Sequence, residues 1–279
     1  MSDISLRGVS LHYQNGPRVT EVLDGVDLAV AEGEFVCLVG PSGCGKSTIL
    51  SLLAGLQRPS SGSVAIGGET VTGPSPDRGV VFQEYALFPW MTIHENLVFA
   101  LEQVTPRAER GRIPALAGEW LDLLGLSEFR KAFPNQLSGG MRQRVALARA
   151  FAVKPRVLLL DEPFAALDAL TRLFLQDVLL ELWEQHRTTV VMVTHDIDEA
   201  LLLADRLIVM APRPTRVRQT FPVYFHRPRE RAALLNDEDY LLLKSQLLHL
   251  LQEGLGSELN RQAGRLELVR RAALGRESA

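Results

Sequence analysis

Apolar and polar residues alternate along ISLRGVSLHY (4–13) and again along VLDGVDLAV (22–30), which predicts two β-strands with one buried face each. The run FVCLVG at 35–40 is apolar almost throughout and predicts a strand buried on both faces. Beyond it, STILSLLAGL (47–56) is helical in composition, SGSVAIGGETV (61–71) reads as a hairpin, and RGVVFQ (78–83) as another strand. VLLLDEP (157–163) and TVVMVTH (189–195) repeat the buried-strand signal, and TRLFLQDVLLELWEQHR (171–187) between them carries apolar residues at helical spacing. Asp196 with Glu199 in DIDEALLLAD has the pattern of a capping box. RLIVMAPRPTRVRQTFPVYF (206–225) suggests a terminal hairpin, with helical segments following around 237–252 and 257–274. Residues 107–135 are richer in charge and helix formers, punctuated by Pro106, Pro114 and Pro134, and read as a small helical lobe inserted in an α/β core.

The composition restricts what this core can bind. Thirty basic against thirty-three acidic residues give a net charge of -3, which offers no electrostatic footprint for nucleic acid or an anionic membrane. Anion binding must therefore be local. Two cysteines, Cys37 in an apolar run and Cys44 in a glycine-rich loop, make a disulfide framework implausible and point to a reducing cytoplasm. MSDISLRGVS lacks the basic-then-apolar pattern of a signal peptide, and the chain holds no apolar run of about 18 residues. Work at a membrane would then depend on a partner.

The local anion site is legible between strand and helix. Gly40, Pro41, Ser42, Gly43, Cys44, Gly45, Lys46, Ser47 and Thr48 fit G-x-x-x-x-G-K-[ST], in the context its mechanism requires. The glycines let backbone N–H groups turn inward around phosphate oxygens, and the helix start adds partial positive charge. Lys46 is expected to bridge the β- and γ-phosphates of ATP, and Ser47 to offer its hydroxyl oxygen to Mg²⁺. VLLLDEP supplies the second half: four apolar residues end at Asp161 and Glu162, where an α/β sheet places its ligands. Asp161 would hold Mg²⁺ through water, and Glu162 would polarise the attacking water. A bulky thiol reagent is expected to inhibit through Cys44.

Further motifs carry a resemblance. LSGGMRQR at 137–144, Gln83 ending a strand, AALD at 165–168 and His195 ending TVVMVTH stand in the order seen in the ATP-binding subunits of ABC transporters. The resemblance covers the chain to about residue 250. It implies a P-loop NTPase of the ABC cassette type: a RecA-like core sheet with an antiparallel β subdomain and an inserted helical subdomain. It places an ATPase domain at 1–250, with core at about 1–83 and 155–235 and the helical subdomain at about 96–153, and a C-terminal helical extension at 251–279. By the same resemblance Tyr13 stacks on adenine, Gln83 contacts Mg²⁺ and the attacking water, and His195 reaches the γ-phosphate. Ser138, Gly139 and Gly140 offer a hydroxyl, backbone N–H groups and a helix start to an anion without a lysine. They are half a site: in this family a second copy packs head to tail, so that the signature of one subunit closes on the ATP of the other. Asp168 resembles the segment that passes between subunits, and it also suits a helix N-cap. Met141 stands where glutamine is common in the family.

The resemblance also implies partners. EYALFPWMTIHENLVFAL (84–101) is expected to line a groove that receives a short helix of a membrane permease subunit, with Tyr85, Phe88, Trp90 and Met91 close together. The implied location is peripheral, on the cytoplasmic face of the inner membrane, with a solute-binding protein as an indirect partner and no nucleic acid. GPSPDRGVVFQEYALFPWMT, ADRLIVMAPRPTRV and FPVYFHRPRER look like the nitrate, sulfonate and taurine import subgroup, though Thr215 stands where glycine is usual. The tail carries Arg261, Arg265, Arg270, Arg271 and Arg276 among leucines and alanines and reads as a solvated amphipathic helix. A soluble cassette ATPase of DNA repair or translation is the rival, but such chains usually show coiled coils or two cassettes. A small-molecule P-loop kinase would lack LSGG and His195.

Overall fold

The computed structural model describes residues 2–253. The chain begins with β1 (Ser2–Asn15) and β2 (Arg18–Ala31), which pair antiparallel. Their inward residues are Ile4, Leu6, Val9 and Leu11 on β1 and Val26, Leu28 and Val30 on β2. The alternation read from the sequence changes phase between Leu6 and Val9, where the ladder shifts register. β4 (Ser61–Ile66) and β5 (Glu69–Thr70) extend this sheet in the order β2-β1-β4-β5.

The second sheet contains β3 (Phe35–Val39), β6 (Arg78–Val81), β7 (Val157–Asp161), β8 (Thr189–Val193), β9 (Arg206–Met210) and β10 (Val217–Pro222), in the order β10-β9-β3-β8-β7-β6. β9 through β6 are parallel, and β10 closes the edge antiparallel to β9. β3 and β8 are buried at every residue, because each face of the sheet is covered. Val36, Leu38, Leu159 and Val191 face the antiparallel sheet, with α1 (Lys46–Leu53) packed into the same core. Phe35, Cys37, Leu158 and Met192 face the opposite way, onto the remaining helices.

Three of those helices pack on one another: α2 (Ile93–Val104), α3 (Ile113–Leu123) and α4 (Gly139–Ala152). α2 begins at Ile93, where Thr92 and Glu95 form a complete capping box. α5 (Ala169–His186) and α6 (Ile197–Leu203) flank β8 in the sequence, and a short α7 (Arg231–Leu234) precedes a helix, α8, over 238–253. The expected second C-terminal helix, around 257–274, and the arginines of the tail lie outside the described residues. Arg229 fastens the C-terminal part to the core: its buried guanidinium donates to the carbonyls of Leu201, Leu202 and Ala204 at the end of α6. Burial draws its pKa down to about 10, with the charge of Arg227 adding to the effect.

The capping box expected at Asp196 is only half formed. Asp196 Oδ1 accepts from the Glu199 N–H at 3.1 Å, but the Glu199 carboxylate turns inward to accept from Thr194 Oγ1 at 2.5 Å and Gln176 Nε2 at 2.7 Å. Two buried donors outcompete the part-buried Asp196 backbone N–H, which bonds to Thr194 Oγ1 instead. Among the described residues no helix is long and apolar enough to cross a membrane.

Candidate nucleotide site

Parallel pairing explains how residues scattered over more than a hundred positions meet. Leu38 on β3 is level with Val193 on β8, Asp161 on β7 is level with the same Val193, and Val81 on β6 is level with Leu160. The lysine loop after β3, the acidic pair at the end of β7, Thr194–His195 after β8 and Gln83 after β6 therefore leave one carboxyl edge of the sheet together. Gln83 does not end its strand: β6 stops at Val81, and Gln83 lies in the exposed turn that follows.

Within the loop, Gly45 caps α1 at φ 117°, a conformation closed to residues with a β-carbon, and Val22 and Leu23 of β2 pack beneath it. Lys46 is buried and its Nζ donates to the carbonyls of Gly40 at 2.8 Å and Pro41 at 3.0 Å. Cys44 is 2% exposed, and burial raises its thiol pKa, with Lys46 opposing. A low thiolate fraction and poor access make it a slow target, contrary to the reactivity expected from its place in a loop.

Ser47 Oγ donates to Asp161 Oδ1 at 2.9 Å. Burial raises the Asp161 pKa, the Ser47 hydroxyl pulls it back, and the neighbouring charge of Glu162 pushes it further up. Glu162 adopts a left-handed backbone (φ 45°), its N–H donates to the Val193 carbonyl at 3.0 Å, and its Oε2 lies 3.3 Å from Nδ1 of His195. The His195 side chain is 63% exposed, so its other nitrogen is accessible from solvent. A hydroxyl, an imperfectly compensated carboxylate and a nearby second carboxylate suit a hard divalent cation with oxygen ligands.

The remaining candidates stand elsewhere. Tyr13 lies on β1, 42% exposed as a residue, with its hydroxyl donating to Gln57 Oε1 at 2.8 Å. Ser138 caps α4, its Oγ accepting from the Met141 N–H at 3.3 Å. A β-carbon on Gly139 would press on the Tyr85 hydroxyl, and one on Gly140 would run into the Thr171 methyl. Met141 is partly buried against the core, which accounts for an apolar residue at that position. Asp168 caps α5, accepting from the Thr171 N–H at 3.0 Å, and this bond lowers its pKa. The signature loop and the Asp168 segment thus meet at Thr171.

The aromatic segment divides. Phe88 and Phe99 meet edge to face at 5.0 Å and line a groove of ≈ 280 Å³ with Val80 and Val104, and Trp90 stands exposed beside Phe88. Tyr85 turns away from them, towards α4. Tyr85 and Ala86 both have left-handed backbones (φ 63° and 48°), a cost of roughly 1–2 kcal/mol for each non-glycine residue. Arg149 holds their carbonyls, donating to Ala86 at 2.7 Å and to Tyr85 at 3.3 Å. No local pattern in the sequence announces this pairing, which spans more than sixty residues.

A lysine loop at the start of a helix, with an acidic pair and a histidine on the same sheet edge, defines a nucleotide-hydrolysing α/β protein. Comparison with known proteins narrows the class. The family model described as ABC transporter matches residues 23–165. The bicarbonate transport ATP-binding protein CmpD of Synechococcus elongatus is 47% identical over 88% of this chain and 89% of its own length. The nitrate import ATP-binding protein NrtD of the same organism is 46% identical over 88% and 89%. A dimeric bacterial ABC transporter cassette, MJ0796, superposes with a TM-score of 0.72 at 34% identity, covering 80% of this chain and all of that one. The chain belongs to the ABC transporter family, as an ATP-binding and ATP-hydrolysing subunit.

Proposed function

We propose that this subunit powers import of a small solute through separate membrane permease subunits. What supports this reading is the presence of both a lysine loop at the start of α1 and a signature element capped at Ser138, in a chain closely similar to transport ATPases for nitrate and bicarbonate. Those relatives also favour transport over a soluble role on nucleic acid. Lys46 would exchange its two loop carbonyls for β- and γ-phosphate oxygens, and Tyr13 would offer its ring face to adenine. Ser47, Asp161 and Gln83 would hold Mg²⁺, which draws electron density from the phosphate oxygens. Glu162 would orient and deprotonate the attacking water, while His195, fixed by Nδ1 against Glu162, would present Nε2 to the γ-phosphate.

The second half of each site comes from another copy. Ser138, Gly139 and Gly140 would close on the partner's γ-phosphate, and Asp168, joined to them through Thr171, would move with them. Two copies related by a twofold axis complete two sites at once. The groove beside Phe88 and Phe99 would receive a permease helix, which places the subunit at the inner face of the membrane without a span of its own, with a solute-binding protein on the far side. The working division is an ATPase domain over 1–250, its helical part between the two stretches of core, and an extension over 251–279.

The test is reconstitution. The chain should copurify with a permease from its own membranes, and in proteoliposomes its ATPase rate should rise with solute and loaded binding protein. Nitrate, bicarbonate, taurine and alkanesulfonates are the solutes to offer first. An ATPase rate indifferent to permease and solute would defeat the transport reading while leaving the enzyme intact.

A further inference from the structure

One face of α4 carries Gly139, Arg142 and Arg149, spaced three and seven residues apart; the two arginines touch the turn that follows β6, and at Gly139 a β-carbon would come within 3.2 Å of the Tyr85 hydroxyl. The Phe82 carbonyl accepts from the Tyr85 N–H at 3.1 Å, so Gln83 lies inside a tight turn closed by Tyr85. The Arg142 guanidinium covers the Tyr85 ring at 5.3 Å, the absence of a side chain at Gly139 leaves room for the Tyr85 hydroxyl, and Arg149 grips the carbonyls of Tyr85 and Ala86. Left-handed backbone at two successive non-glycine residues persists only where its surroundings enforce it. Here the enforcement comes from α4, the helix that begins with the signature.

We infer that Arg149 is a positioning residue for hydrolysis, holding the Tyr85–Ala86 turn so that Gln83 keeps its place at the nucleotide. The inference rests on the role proposed for Gln83 above. It makes the placement of Gln83 depend on the helix whose amino end is offered to the partner's nucleotide. Half-burial of the guanidinium, which lowers its pKa, strengthens its bonds to the two carbonyls.

Four variants test it with steady-state ATPase kinetics on the full chain: Q83A, R149A, the Q83A/R149A pair, and A86G placed in R149A. R149A should lower kcat by about tenfold and leave KM for ATP within about twofold, since a displaced group costs rate more than ground-state binding. Adding R149A to Q83A should change kcat by less than about twofold, because the group it positions is gone. A86G should restore part of the loss in R149A, since glycine adopts the left-handed turn without a clamp. If R149A does not fold, R149K, with one point charge for two carbonyls, carries the same comparisons. A full R149A loss in the Q83A background, or no rescue by A86G, would overturn the inference alone. Undiminished turnover in Q83A would remove the role of Gln83 itself and the inference with it.

Discussion

The two anion-directed elements differ in how complete each is within one chain. The lysine loop is surrounded by its own partners: Lys46 is hydrogen-bonded to loop carbonyls, Ser47 to Asp161, and Glu162 faces His195. The signature has a cap at Ser138 and tight packing at Gly140, and it contains no lysine or carboxylate of its own. A site with lysine, carboxylates and hydroxyl needs a fold that compensates each charge. A site built from backbone N–H groups needs only rigidity and a ligand delivered from outside. The contrast suits the proposed enzyme, in which one half would capture nucleotide within its own chain and the other would act upon closure.

The strongest way to break that contrast is Glu162→Gln. Turnover should fall about 10²–10⁴-fold while ATP binding persists and an ATP-bound dimer accumulates, seen by phosphate release and light scattering. Near-normal turnover would move the base elsewhere. Lys46→Ala removes the buried point charge and should weaken ATP binding by about 10–100-fold in fluorescent-nucleotide titrations. Gly140→Ala should reverse the pattern. Its β-carbon forces Thr171 aside at a cost of about 1–3 kcal/mol, so dimer formation and turnover should drop with monomer nucleotide affinity unchanged. An affinity loss equal to that of Lys46→Ala would dissolve the distinction between the two halves.

Two smaller effects sharpen it. Alkylation of Cys44 should be slow at neutral pH and accelerate on partial unfolding, and mass spectrometry of the modified peptide reports it. Glu199 has a raised pKa, chiefly from burial, so its native carboxyl binds a proton more tightly than the unfolded one. The stability this contributes is present below the ordinary glutamate pKa and lost as pH rises through the native value. Glu199→Gln does not titrate, so melting temperatures should favour the wild type most in acid and shift towards the variant on going to neutral pH.

What the sequence disclosed was whatever is encoded within a few adjacent residues. The buried strands, the lysine loop, the acidic pair and LSGG are contiguous strings whose chemistry depends on local backbone. Parallel topology then followed, because the strand ends had to meet for those strings to act together. What stayed hidden depends on distant partners. Glu199 reads as a cap until Thr194 and Gln176 are found beside it. Cys44 reads as a loop thiol until its burial is known, and Tyr85 reads as groove lining until Arg142 covers it. Met141 reads as a departure in a binding motif until its packing against the core is known.

The Lys46 contacts also bear on how a product leaves. A buried ammonium stripped of phosphate would be an unpaired charge, and the cost of stranding it would hold the spent nucleotide in place. The carbonyls of Gly40 and Pro41 stand within 3.0 Å, so the ammonium has a resting station as soon as the phosphates depart. With Lys46 on the phosphates as proposed, the loop would favour dissociation of spent nucleotide as well as capture of fresh, and an ATPase that turns over repeatedly needs both.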